Sequence, residues 1–411
     1  METMQMEKVK KLVPELRFKG FVKDWVKKKL GSVSDKIQDG THFSPQIVEN
    51  GDFMYVTSKN VKNGYMEFSN IQYISKEDHI SIYKRCDIKK GDVLITKDGT
   101  IGQVCVNELD QQFSILSSVA FIRPNIDYSN YFIYQILVSP IGQKEIESQI
   151  AGQALKRITL TKINNFEYYF PSLHEQIKIA SFLTAVDDKL QALKQKKTLL
   201  EQYKKGVMKQ IFSQELRFKD DNGHEYSDWE EKMLGDIVKE YNVKSIVNDQ
   251  YVVLSSSMGG IKLQSDYFTK DVSSKDNTGY KIVPKGYFTY RSMSDTGSFT
   301  FNIQNIVDIG IVSPAYPVFK TLDSIVSEYL SFYLNKSNKI INDLLGLKEG
   351  GTRYALSFSK FSRLEVILPS FQEQTKIANF LSTIDEKINH CQEQIVNTEM
   401  WKKGLLQQMF V

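Results

Sequence analysis

The sequence predicts an α+β protein built twice: two tandem α+β domains separated by two long antiparallel coiled-coil helices, with a pseudo-twofold internal repeat. Three observations predict it. Short blocks recur in both halves, the segments between them carry β-type and then helical signals, and each half ends in a heptad-patterned stretch.

The repeat comes first, because a missed repeat misassigns the whole fold. Glu15 to Lys19 reads ELRFK, and Glu215 to Lys219 reads ELRFK again. Each is followed by Asp-Trp (Asp24-Trp25, Asp228-Trp229) and then Leu-Gly (Leu30-Gly31, Leu234-Gly235). Farther on, PSLHEQIKIASFLTAVDDK from Pro171 matches PSFQEQTKIANFLSTIDEK from Pro369, and KKG recurs at Lys204 and Lys402. Aligned without a gap from Pro171 to Phe212, 17 of 42 pairs are identical, so the halves are duplicates.

Between the blocks similarity almost vanishes, apart from faint echoes at Gly91 and Gly286 and at Gly152 and Gly350. The frame therefore does one job twice, while the variable parts do different jobs. It divides the chain into a basic segment (1–30), a first variable domain (31–170), a first matched helix (171–214), a linker (215–234), a second variable domain (235–368) and a second matched helix (369–411).

Each variable domain opens with strands. Phe53–Thr57, Tyr65–Phe68, Asp92–Thr96 and Val119–Ile122 are β-branched or aromatic, punctuated by the hairpin signals Asn63-Gly64 and Asp98-Gly99. Helices follow at Tyr131–Val138 behind a Ser129 cap, from Pro140, and at Ile325–Leu334 in the second copy. In the matched block Pro171 marks a helix entry. Leu183, Val186, Leu190, Leu193, Leu200, Val207 and Ile211 keep 3-4 spacing, with Lys197 and Lys204 interrupting. Leu381, Ile384, Ile388, Cys391, Ile395, Leu405 and Met409 repeat the pattern. This is a coiled-coil seam, and two equal rods of roughly 50 Å could bury their seams against each other.

Net charge is only +4, too small to name a partner. Its distribution says more: Lys8 to Lys29 holds nine basic residues against Glu15 and Asp24, which suits nucleic acid, an acidic partner or a solvated face. Cys86, Cys105 and Cys391 lie far apart without CxxC spacing, which points to a reducing cytosol and not to disulfides or zinc. Neither a signal peptide nor a membrane span is expected, so the expected location is the cytoplasm.

Catalytic constellations are missing: no AdoMet or nucleotide loop after a strand, no Asn-Pro-Pro-aromatic motif, no GxxxxGK[ST] and no HExxH. The nuclease-like fragments Glu230-Glu231-Lys232 and Asp385-Glu386-Lys387 read as ordinary charges, and Gly99-Thr100-Ile101-Gly102 as a hairpin turn before a phosphate cradle. What recurs is a recognition vocabulary on expected loops. The first domain offers Thr41, His42, Lys59, Asn60, Lys62, Lys97, Arg123, Lys156 and Arg157. The second offers Ser255 to Ser257, Lys262, Arg291, Ser292, Lys348, Arg353 and Tyr354. Arg and Lys neutralise phosphates, while Arg, Asn and Ser also read base edges. Thr41, His42, Lys97, Arg157, Arg291 and Arg353 are the DNA-contact candidates.

The arrangement resembles the specificity subunits of bacterial type I restriction–modification systems. The matching residues are VPELRF from Val13, Asp24-Trp25, IQDGTHFSP from Ile37, GDVLIT from Gly91, GTIG from Gly99 and the doubled Pro-Ser-x-x-Glu-Gln-x-Lys-Ile-Ala-x-Phe-Leu. The second domain lacks a clear DGTHFSP or GTIG counterpart. The resemblance implies that the variable domains are target-recognition domains, each reading half of a bipartite double-stranded DNA site. It implies helices that set the gap and dock two modification subunits, with restriction subunits joining them. AdoMet, ATP and Mg²⁺ would then sit only on those partners, and this chain would be non-catalytic. The alternative is a coiled-coil adaptor that binds no DNA, which leaves two divergent basic-looped domains unexplained.

Overall fold

A computed structural model describes residues 13–49, 51–150, 156–267, 276–346 and 353–411. The chain forms two compact units, one of residues 1–195 with 392–411, the other of residues 196–391.

In the first unit the order is β1 (Val26–Lys29), β2 (Ser34–Asp39), β3 (Phe53–Val56), β4 (Val61–Lys62), β5 (Tyr65–Met66), β6 (Gln72–Ile74), α1 (Lys76–Tyr83), β7 (Val93–Thr96), β8 (Val104–Val106), β9 (Ser114–Ile115), β10 (Val119–Pro124), α2 (Asn130–Val138), α3 (Pro140–Ile150), α4 (Leu160–Asn164), β11 (Glu167–Phe170) and α5 (Leu173–Phe212), which continues into the second unit. An antiparallel sheet β2-β10-β7-β8 stands beside a sheet β6-β3-β9. The turn signals act as expected: Asn63-Gly64 closes the β4–β5 hairpin with Gly64 at φ +91°. The GTIG stretch turns β7 into β8, with Gly99 at φ +72° and Gly102 at φ +83°. Two strands stop earlier than the pattern suggests. The Thr57 N–H is taken by the Asn60 side chain, and the Glu67 N–H by the Asn60 carbonyl, so a turn replaces further ladder. Ser129 caps α2 by accepting from the Phe132 N–H, and Ser139 accepts from Gly142 at the start of α3.

In the second unit β12 (Glu230–Met233), β13 (Val238–Glu240), β14 (Val252–Ser257), β15 (Gly260–Leu263), α6 (Gln264–Tyr267), β16 (Lys281–Pro284), β17 (Phe288–Thr289), β18 (Met293–Ser294), β19 (Asn302–Ile303), β20 (Ile309–Val312), β21 (Val318–Thr321), α7 (Ser327–Lys336), α8 (Asn338–Gly346), β22 (Tyr354–Ala355), α9 (Phe358–Phe361) and β23 (Glu365–Leu368) lead to α10 (Phe371–Gln408), which continues into the first unit. Sheets β13-β21-β17-β19 and β15-β14-β20-β16 form its β layer. The Gly91/Gly286 echo is a shared turn, both glycines at positive φ ahead of β7 and β17. The Gly152/Gly350 echo lies outside the described residues. Helix α7 begins two residues later than the pattern placed it, because the Val326 N–H is caught by the Gln374 side chain and not by its own segment.

The matched blocks grip each other. Arg17 donates to both oxygens of Glu175, each at 2.7 Å, and to the Lys23 carbonyl. Arg217 does the same to Glu373, at 3.3 and 2.8 Å, and to the Ser227 carbonyl. Phe18 packs edge-on against Phe182, and Phe218 against Phe380. The neighbouring Gln176 accepts from the Ser129 N–H and donates to the Pro171 carbonyl; Gln374 repeats this with Val326 and Pro369. The doubled Glu-Gln is thus a clamp on the entry to α2 or α7. Next to it, β1 pairs antiparallel with β11 and β12 with β23, closing each variable domain at its base.

Within the first unit, α10 runs antiparallel to α5, with Lys402 bonded to Asp187 and Lys194 to Glu399. Within the second, Lys204 holds both oxygens of Asp385 at 2.6 Å. Lys204 and Lys402, like Asp187 and Asp385, lie 198 positions apart, so one pair is made twice with the helices' roles exchanged. Each lysine occupies a seam position with its ammonium at the rim, which fixes register at a cost in apolar contact. An aromatic at the end of α5, or just beyond the end of α10, then plugs a domain core. Phe410 packs on Trp25 and Phe132 in the first unit, and Phe212 on Tyr329 and Tyr333 in the second. Among the described residues no helix is long and apolar enough to cross a membrane.

Candidate nucleic-acid interface

In the first unit the loops converge around a backbone bridge between Thr41 and Leu116. Thr41 lines one recess with His42, Phe43, Ser81, Ile82, Arg85 and Cys86. Leu116 lines another with Ser58, Lys59, Asn70, Gln72, Asp98, Gly99 and Ser118. Strand ends of both sheets and the β7–β8 turn thus build one surface. Gly40 makes this approach possible: a side chain there would start 1.9 Å from the Ile115 carbonyl oxygen.

Several candidates sit elsewhere than an exposed loop. Lys97 is buried, its ammonium 2.5 Å from the buried Asp39 carboxylate, so it is a structural ion pair and does not reach the surface. Thr41 is also buried, held through its backbone. Asn60 is a buried turn-former, and Arg123 clasps Asp92 bidentately and Asp87 besides. In the basic N-terminal run, Arg17 and Lys27 are ion-paired to Glu175 and Glu167, while Lys8, Lys10 and Lys11 lie outside the described residues. The two nuclease-like fragments resolve as well. Asp385 belongs to the helix–helix pair, and Lys232 bonds Glu230 along β12.

His42 is exposed, 3.4 Å from Asp39. Arg157, half exposed, lies 3.0 Å from Asp98 of the GTIG turn. Arg353 stands likewise beside Asp295, at 2.9 Å. These two pairs correspond, because the Ile158 N–H donates to the Lys97 carbonyl and the Leu356 N–H to the Ser292 carbonyl. Arg291 is exposed. Ser256 and Ser257 line up with Asn302, whose amide donates to both. Lys348 lies outside the described residues.

Sequence reasoning missed Asp39 and Arg85. Asp39 accepts from Lys97 and Arg85 and faces His42, tying the DGTHFSP segment to the strand that ends in GDVLIT. The signal was available, an Asp before Gly at a strand end, but its partners are 46 and 58 residues away. Burial pushes the thiol of neighbouring Cys86 up, and that of Cys105 to about 12, so neither is a ready nucleophile.

Two α+β domains on a doubled coiled-coil frame, alike in frame and unlike in loops, define a duplicated two-domain protein. A family model described as the type I restriction modification DNA specificity domain matches residues 22–202 and again 226–398, and the chain belongs to that family. It is a specificity subunit with two target-recognition domains, not a bare coiled-coil adaptor. It is 21% identical over 407 residues to the MjaIX type I restriction enzyme specificity subunit of Methanocaldococcus jannaschii, covering 93% of this chain and 92% of that one. Over 120 residues it is 29% identical to the EcoBI specificity subunit of Escherichia coli, covering 29% of this chain and 25% of that one. The fold is similar to a crystal structure of the S subunit from M. genitalium, with TM-score 0.61, 17% identity, and coverage of 97% of this chain and 99% of that one.

Proposed function

We propose that each unit reads one half of a bipartite double-stranded DNA target, that the helices set the distance between halves, and that they dock modification subunits. The observation that carries this is the frame made twice around unlike loops. The Arg–Glu clamp and the Lys–Asp helix pair recur with identical residues, while the DGTHFSP and GTIG sequences have no clear counterpart in the second unit. In this reading Arg157, Arg291, Arg353 and His42 contribute DNA contacts, and Lys97 and Thr41 support the loop that carries them. AdoMet, ATP and Mg²⁺ belong to the modification and restriction partners, and the assembly works in the cytoplasm. Methylome sequencing of cells expressing this chain with its partners tests it. A bipartite methylated motif is the expected result, and a motif without two separated halves overturns the reading.

Purified alone, the chain transfers no methyl group from AdoMet and cuts no duplex. Methyl incorporation by the isolated chain, partners excluded by mass spectrometry, would show a catalytic centre.

In this reading each repeat contributes one aromatic anchor for partner docking. Tyr203 and Trp401 occupy equivalent positions 198 residues apart, and each large aromatic is about half exposed on its helix, 53% and 48%. Buried aromatics dominate interface energetics, so Tyr203→Ala or Trp401→Ala should weaken one docking site by at least ~1–2 kcal/mol. Native mass spectrometry of the parent is expected to show two modification subunits per chain, and either single variant only one. An unchanged mass in the double variant would move the docking surface elsewhere.

A further inference from the structure

We infer that Arg85 is a specificity-determining residue of the first unit, an arginine held by a buried carboxylate so that it donates to a guanine edge in the half-site. This rests on the DNA-reading role proposed above and names a residue for it. The Asp39 carboxylate is 4% exposed and already has a full partner, because the Lys97 ammonium, 5% exposed, sits 2.5 Å from it. Arg85 comes as a second cation on a carboxylate that Lys97 has neutralised, with 3.3 Å between its Nη2 and Asp39 Oδ1 and half of its side chain in solvent. The cluster of Asp39, Lys97 and Arg85 therefore carries one net positive charge at the wall of the recess shared with Thr41, His42, Phe43 and Ser81. This differs from Arg157 and Arg353, each matched one to one by an aspartate.

The guanidinium is also fixed in place. Among the described residues its side-chain hydrogen bonds run through Nη2, to the Asp39 carboxylate and to the Asp39 and Gly40 carbonyls. Those carbonyls belong to the segment whose Gly40 is wedged against Ile115, so the anchor is backbone and cannot drift. No described residue takes the donors on Nε and Nη1, and these face the DNA partner in this inference. An arginine whose position is set before binding loses little side-chain entropy on contact and cannot follow a misplaced acceptor, which is what discrimination requires. Guanine presents two major-groove acceptors, O6 and N7, and arginine is the side chain that most often takes them.

The test uses the full complex with modification subunits and a library of duplexes varied around the parent motif. Arg85→Gln is expected to cut discrimination about 5- to 150-fold at a single G·C position of one half-site, leaving the other half unchanged. Arg85→Lys keeps the charge and loses the planar group, so the same position relaxes while the salt dependence of binding stays as in the parent. If the glutamine variant melts well below the parent, the lysine variant decides. An unchanged motif in a lysine or glutamine variant that melts like the parent overturns the inference. So does weakening that is uniform across all sequences with a reduced salt slope, which marks a phosphate contact, or relaxation in both halves. A parent complex with no bipartite motif overturns the functional reading as well, so the two failures are distinguishable.

Discussion

Exchanging residues 31–170 for those of another specificity subunit is expected to replace one half of the methylated motif and leave the other half as it was. The loop residues that gather around the Thr41–Leu116 bridge, from Asp39 through Arg85 and Asp98 to Arg157, all lie inside that block. What grips the domain from outside is frame: Trp25, Gln176, the strand β1 and Phe410. Those contacts are made mostly to backbone or to apolar surface, at the α2 entry, along β11 and on Phe132, so a donor domain need supply only a strand, a helix start and an aromatic. Single mismatches at a specific site cost about 1–3 kcal/mol each, so replacing a whole half-site moves preference by several orders of magnitude. Sequencing the methylated motif of the hybrid checks this. Changes in both halves together would mean that the domains do not read independently.

Removing one frame carboxylate should cost nearly as much in stability as the exchange does in specificity. Glu373 is fully buried, bonded to Arg217 and to the Trp229 indole N–H. Glu373→Ala takes the carboxylate from a largely buried guanidinium and from the indole N–H, and breaking a buried pair this way costs about 3–5 kcal/mol. For a unit near two hundred residues that lowers the melting temperature by roughly 6–20 °C. Glu175→Ala is expected to do the same to the first unit, since Arg17 then loses both oxygens at once. Thermal unfolding followed by circular dichroism measures it, and a drop of only one or two degrees would show that the clamp is ornamental. The loss has a functional side, because the adjacent Gln176 and Gln374 hold the starts of α2 and α7.

The amino-acid sequence determined everything here that is periodic, repeated or local. The duplication, the seam from Leu183 to Ile211 and from Leu381 to Met409, the Ser129 cap and the Gly64 and Gly99 turns follow from spacing or from one residue's own backbone preference. Such signals need no knowledge of what lies across the fold. Tertiary structure decided which charges are free. Lys97 and Arg123 looked like surface cations, and each proved to have a carboxylate waiting in a distant segment. Arg85 carried no sequence signal, and it stands on a neutralised aspartate at the mouth of a recess. The reason is electrostatic. A cation's availability depends on whether an anion lies within a few ångströms in a place water does not reach, and pairs 31 to 158 residues apart are brought together only by packing.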